Sequence, residues 1–128
     1  MPFVRIDALK AGPERLDALG RAVHDSLVEV VGVPENDRFQ VLTSHDGVRS
    51  TVCYDDEYLG VRHDDDLVFV SLTMRSGRPP ELKRALYRRI AQRAWEYAGT
   101  EPRNVFIGVT ENESVDWSFG DGVAQYAP

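Results

Sequence analysis

The strongest constraint on this chain is that it repeats itself. Displaced by 67 residues, the sequence pairs Pro13 with Pro80, Glu14 with Glu81, Ala18 with Ala85, Leu19 with Leu86 and Arg21 with Arg88. The match continues without a gap through Glu29 and Glu96, Gly32 and Gly99, Phe39 and Phe106, and Thr43 and Thr110. Chance would give about two identities over such a window. A chain of 128 residues composed in this way must build two similar halves.

Periodicity identifies the unit. Leu16, Leu19, Val23, Leu27 and Val30 fall at helical spacing while Arg15, Arg21, Asp25 and Glu29 stay polar, which predicts an amphipathic helix ended by Gly32 and Pro34. Residues 2–8 before it and 38–43 after it are short, β-branched and aromatic, the signature of strands. The second copy repeats the pattern with a strand at 67–74, a helix at 80–98 and a strand at 105–110. Its first strand is apolar on both faces, as a central strand is.

Each unit is therefore a β-α-β element with a right-handed crossover. Two such units join into one four-stranded mixed sheet with both helices on one face, an α+β or α/β architecture. The expected organisation is a single domain over 1–128, with repeat units at 2–44 and 67–111 and a C-terminal tail at 112–128. Between the copies, 45–66 holds two weaker strand candidates, 49–54 and 58–63, around Asp55-Asp56-Glu57, read as a hairpin or arm. The sheet face away from the helices needs a cover. Back-to-back association of several copies would supply it, which suits a chain of 14.4 kDa.

Charge and composition exclude several classes. Fifteen Lys plus Arg against twenty-one Asp plus Glu give a net charge of −6, which repels phosphate backbones and anionic lipid, so no nucleic-acid or membrane partner is expected. The longest uncharged apolar run, 67–74, is far short of the roughly twenty residues a membrane helix needs. The opening Met-Pro-Phe-Val-Arg-Ile-Asp lacks a basic segment followed by a long apolar one, so a cytoplasmic location is expected. Cys53 stands alone and His24, His45 and His63 are scattered singly, so neither a metal nor another cofactor is expected.

Three features carry chemistry. Removal of Met1 ahead of a small residue would leave Pro2 with a free secondary amine, a nucleophile or proton carrier whose basicity burial and charge can tune. Proline is also simply harmless at a strand start. Arg75-Ser76-Gly77-Arg78-Pro79-Pro80 sets two cations at the entry of the second helix, where they oppose the helix dipole unless an anion offsets them. Guanidinium forks bind carboxylates bidentately, so a small carboxylate is the natural ligand, with solvation or pairing to acidic residues as the alternative. Asp116-Trp117-Ser118-Phe119-Gly120 and Tyr126 form an aromatic group in the tail, suited to a core, an interface or a pocket wall.

Taken together, Met-Pro at the start, the duplicated β-α-β, Asn36-Asp37-Arg38-Phe39, the Arg75/Arg78 pair, and Glu111-Asn112 followed by Trp117-Ser118-Phe119-Gly120 resemble the tautomerase superfamily, and within it the malonate semialdehyde decarboxylases. The resemblance covers essentially the whole chain. It implies a homotrimer with inward-facing sheets and a site around the amino-terminal proline. Pro2 would then be a cation that polarises the substrate aldehyde and later donates a proton. Arg78 would bind the substrate carboxylate with help from Arg75, Asp37 would serve water activation in hydration side reactions, and Trp117, Phe119 and Tyr126 would form an aromatic wall. The Arg-Ser-Gly-Arg spacing is also similar to that of cis-3-chloroacrylic acid dehalogenase and its relatives, in which His24 lies near the position of a catalytic histidine. Three functions follow as expectations: decarboxylation of a small oxo acid with hydratase side activity, enol–keto tautomerisation of a 2-oxo acid such as phenylpyruvate, or a non-catalytic trimer.

Overall fold

The computed structural model describes residues 2–47 and 51–128. Strand β1, Phe3–Leu9, leads into helix α1, Pro13–Ser26, which is extended by a π-type turn over Leu27–Val31 and followed by β2, Gln40–His45. A small hairpin, β3 (Glu57–Tyr58) and β4 (Val61–Arg62), separates this half from the next. The second half is β5 (Val68–Arg75), α2 (Pro80–Ala98) and β6 (Val105–Asn112), with single 3-10 turns at Pro102–Asn104 and Ser114–Asp116.

The four long strands form one mixed sheet in the order β2-β1-β5-β6. β1 runs parallel to β2, β5 parallel to β6, and the two central strands pair antiparallel with Phe3 opposite Thr73 and Ile6 opposite Val70. Alternation decides the faces. Val4, Ile6 and Ala8 on β1 and Val68, Val70, Leu72 and Met74 on β5 are buried, packing against Leu19, Val23 and Leu27 of the first helical segment and Leu86, Ile90 and Ala94 of α2. Both helices thus cover one face.

The repeat holds in three dimensions. Pro13 and Pro80 open their helices, where a missing N–H costs nothing. Gly32 and Gly99 close them in the left-handed conformation, at φ 81° and 67°, which a residue with a Cβ adopts only with strain.

Two expectations are corrected. The strand expected at 58–63 is itself a hairpin, because Leu59 (φ 49°) and Gly60 (φ 81°) are both left-handed and turn the chain back after Tyr58. Residues 51–54 form no strand, and Arg49 and Ser50 of that candidate lie outside the described residues. The open sheet face is also less apolar than β5 suggested. Arg5, Thr43 and Ser71 are exposed there, beside Phe69 and the half-exposed Phe106. Among the described residues no helix is long and apolar enough to cross a membrane.

Candidate active site

The topology gathers the expected residues at one end of the sheet. Because β1 and β5 are antiparallel, the start of β1 lies beside the end of β5, and the parallel partners bring the start of β2 and the end of β6 to the same edge. Pro2, buried, immediately precedes β1; Asp37 lies three residues before β2; Arg75 ends β5 opposite Asn112, which ends β6.

Beyond Arg75 the chain turns through Ser76 and Gly77, the latter at φ 118°, and Arg78 comes back on itself so that its Nη1 donates to Arg75 O at 2.8 Å. Ser76 N donates to Asn112 O at 2.7 Å, and Ser76 Oγ donates to Glu113 Oε1 at 2.7 Å. Arg75 Nη1 donates to Ser114 Oγ at 3.4 Å. Arg75, Ser76, Gly77, Arg78, Glu113 and Ser114 line an open recess of about 370 Å³.

The tail packs beside it and touches it through Arg75. Trp117 donates from Nε1 to Asn112 Oδ1 at 2.8 Å and stacks on Phe119 with centroids 5.6 Å apart. Phe119 meets Tyr126 edge-on at 5.0 Å, and Tyr126 lies flat beneath the Arg75 guanidinium, 4.0 Å from its Cζ. The aromatic group expected from the sequence is therefore one continuous cluster ending on an arginine.

The electrostatics are unusual for an acidic chain. Neither Arg75 nor Arg78 has a carboxylate partner among the described residues, while Lys83 pairs with Glu111 at 2.7 Å, and Glu29 takes both Arg89 and Arg93. Glu111 is taken by Lys83, Glu113 accepts from Ser76 Oγ, and Asp116 accepts from the Glu113 backbone N–H at 2.8 Å. Two half-buried arginines thus share the recess with the one Glu113 carboxylate and form no ion pair with it, an arrangement that can take a small anion. Asp37 shows the complementary deficit, since its Oδ1 is buried without a hydrogen-bond partner.

His24 is 8% exposed and its Nε2 donates to Glu35 O at 2.9 Å, fixing the loop that leads to Asp37. A carbonyl accepts only, so the ring carries its proton on Nε2. Sequence reasoning missed the supports: Ser76, Glu113, Ser114 and Gln125. Their polar side chains follow a strand end and a glycine turn, and nothing in their spacing announces which partner each will reach.

Comparison with known proteins establishes the family and the fold. Two Tautomerase enzyme family models match, one over residues 37–120 and the other over 2–55. The chain belongs to the tautomerase family. It is 41% identical over 127 residues to the probable tautomerase YusQ of Bacillus subtilis (strain 168), covering 98% of both chains. A crystal structure of FG41 malonate semialdehyde decarboxylase inhibited by 3-bromopropiolate superimposes with a TM-score of 0.87 at 38% identity, over 97% of this chain and 93% of that one. A second malonate semialdehyde decarboxylase, whose structures were described as a basis for decarboxylase and hydratase activities, gives a TM-score of 0.87 at 27% identity, over 97% and 95%. The fold also matches a fused 4-OT symmetric trimer at a TM-score of 0.74 and 20% identity, over 98% of each chain.

Proposed function

We propose that this chain decarboxylates a small 3-oxo carboxylic acid of the malonate semialdehyde class, using Pro2 once Met1 has been removed. The observation that carries the proposal is the recess itself: two arginines without an ion-pair partner among the described residues, one of them stacked on Tyr126, at the sheet end where Pro2 and Asp37 lie. Arg75 and Arg78 hold the carboxylate. The cationic Pro2 amine hydrogen-bonds the aldehyde oxygen and draws electron density toward it. The bond to the carboxylate carbon then breaks, its electron pair forms the enolate, and carbon dioxide leaves neutral. The Pro2 ammonium gives its proton to the enolate carbon, which yields the aldehyde, and the neutral amine regains a proton from water. Trp117, Phe119 and Tyr126 thin the water around the carboxylate, which disfavours the anion relative to neutral carbon dioxide.

Asp37 favours this reading over base catalysis. A carboxylate at the same end of the sheet stabilises the ammonium form of Pro2, and the freed secondary amine would offer N–H donors to an Oδ1 that has none. The same carboxylate can activate water for hydration of acetylenic acids. Three copies packed sheet to sheet would cover the open face, in keeping with the trimeric relative.

A second reading is favoured by the relative described as a probable tautomerase: enol–keto tautomerisation of a 2-oxo acid, with neutral Pro2 as base. Intact mass of the purified protein, followed by carbon dioxide release from malonate semialdehyde and ketonisation of phenylenolpyruvate, tests both. Loss of Met1 with carbon dioxide release and an activity that falls at high pH supports decarboxylation by a cation. Ketonisation alone, lost at low pH, supports the tautomerase. Processed protein silent in both assays refutes the enzymatic readings and leaves a non-catalytic trimer.

A further inference from the structure

One side chain closes the loop at the far end of the aromatic tail. Gln125 accepts from Phe119 N–H through Oε1 at 2.9 Å and donates from Nε2 to Gly120 O at 3.0 Å, so its amide closes the loop as a strand neighbour would. The loop needs closing. Gly120, Asp121 and Gly122 are consecutive at φ 141°, 59° and 67°, and Asp121 pays a steric cost for that conformation. Besides the Gln125 amide, Val123 N donates to Gly120 O at 3.3 Å, Ala127 N to Ala124 O at 3.1 Å and Ser118 Oγ to Gly120 O at 3.4 Å. The neighbours of the clasp are the working parts: Phe119, whose N–H it captures, stacks on Trp117, and Tyr126, the next residue after it, lies under Arg75.

We propose that Gln125 is a positioning residue for the carboxylate recess, setting Phe119 against Trp117 and Tyr126 beneath Arg75. The proposal rests on the reading of that recess as a carboxylate site and adds to it how the wall is held. Loosening the clasp frees the Arg75 guanidinium to point elsewhere, so carboxylate binding suffers while the reacting groups at Pro2 are untouched. The effect therefore belongs mainly in KM, with kcat touched only through the water that the aromatics exclude.

The test compares Gln125→Leu, which keeps the length and loses both bonds, with Gln125→Glu, which keeps the acceptor for Phe119 N–H. Malonate serves as the binding probe and malonate semialdehyde as the substrate. Trp117 emission is read in a Trp95→Phe background, Trp95 being an exposed residue of α2. The expected result for Gln125→Leu is a rise of about tenfold in both KM and malonate Kd, the loss of two neutral hydrogen bonds, with kcat within about twofold. Trp117 emission should shift, melting temperature should hold, and Gln125→Glu should recover part of the loss. A Gln125→Leu variant with unchanged KM and malonate Kd overturns the proposal, as does a fall in kcat alone. Wild-type protein that binds malonate and releases no carbon dioxide overturns the decarboxylase reading, and the malonate ratio still decides Gln125. Wild-type protein that binds no malonate overturns both.

Discussion

Replacing Arg78 by alanine measures the clamp directly. Arg78 spends Nη1 on Arg75 O at 2.8 Å, which leaves the Nε–Nη2 edge of the fork to meet a carboxylate bidentately. The guanidinium is half-buried and lacks an acidic partner among the described residues, so binding an anion requires no prior ion pair to be broken. A charge-assisted interaction of this kind contributes roughly 1.5–3 kcal/mol. Taking about 2 kcal/mol, Arg78→Ala should lower kcat/KM about 30-fold. The loss should lie mainly in KM, because the carboxylate is gripped before the reaction begins. Arg78→Lys should recover little: one ammonium can meet either the Arg75 carbonyl or the substrate, and it cannot present the fork. Stability should barely change, since water can satisfy the half-exposed Arg75 carbonyl. Steady-state kinetics on malonate semialdehyde, with a thermal melt as control, decide the matter. An alanine variant within about threefold of wild type would remove Arg78 from the site and the carboxylate argument with it.

Other consequences follow from individual contacts. Trp117→Phe keeps a ring to stack on Phe119 and loses the 2.8 Å bond to Asn112, so kcat/KM should fall by less than about tenfold, checked in the same assay. Gly99→Ala places a Cβ in open space at φ 67°, so the cost is purely conformational, about 1 kcal/mol, read as a lower urea midpoint with unchanged slope. Tyr54 donates to Asp65 at 2.6 Å, and that bond pushes the phenol from its ordinary 10.0 up to about 12. The neutral phenol is the favoured form in the fold, so its contribution to stability is complete below pH 10.0 and is lost as pH rises through about 12. Ultraviolet titration should show a late tyrosinate step that Tyr54→Phe removes.

The framework was legible because it is written twice. Helix α2 has the bounds that Pro80 and Gly99 dictate, and the strands differ from expectation by one or two residues at their ends, where pairing with a neighbour decides the boundary. The linker was read less well, since two left-handed residues at Leu59 and Gly60 are invisible to a strand pattern that runs through them. Arg75, Trp117, Phe119 and Tyr126 form one run of contacts with Arg78 bonded to the Arg75 carbonyl, and the sequence marks them by charge at a helix entry and by aromatics outside regular structure. Asn112, Ser114 and Gln125 were not legible as supports. Each acts through a hydrogen bond between segments whose approach only the folded tail creates.

The duplication also shows how differently the two ends of the sheet are finished. The same 67-residue displacement carries Arg75 onto Ala8, Arg78 onto Ala11 and Asp37 onto Asn104, all at the opposite end of the sheet. There the counterparts are sealed. Ala8, Ala11 and Asn104 are buried, and the linker caps Asn104, as Asp64 accepts from Asn104 Nδ2 at 2.9 Å and donates its N–H to Asn104 Oδ1 at 3.1 Å. Arg103 adds a bond to Asp64 Oδ2 at 2.7 Å, and the Asp64 carboxyl is held below its ordinary value, first by the Asp66 backbone N–H and then by these partners. Every polar atom of the Asn104 side chain thus finds a partner within the chain, while Oδ1 of its counterpart Asp37 is left without one. One fold therefore holds two equivalent ends with opposite solutions. At one, a neutral amide and small side chains are locked by the connection between the repeats. At the other, an unpartnered carboxylate oxygen and two arginines without an ion pair among the described residues lie at the same sheet end as Pro2, open to the small carboxylate proposed above.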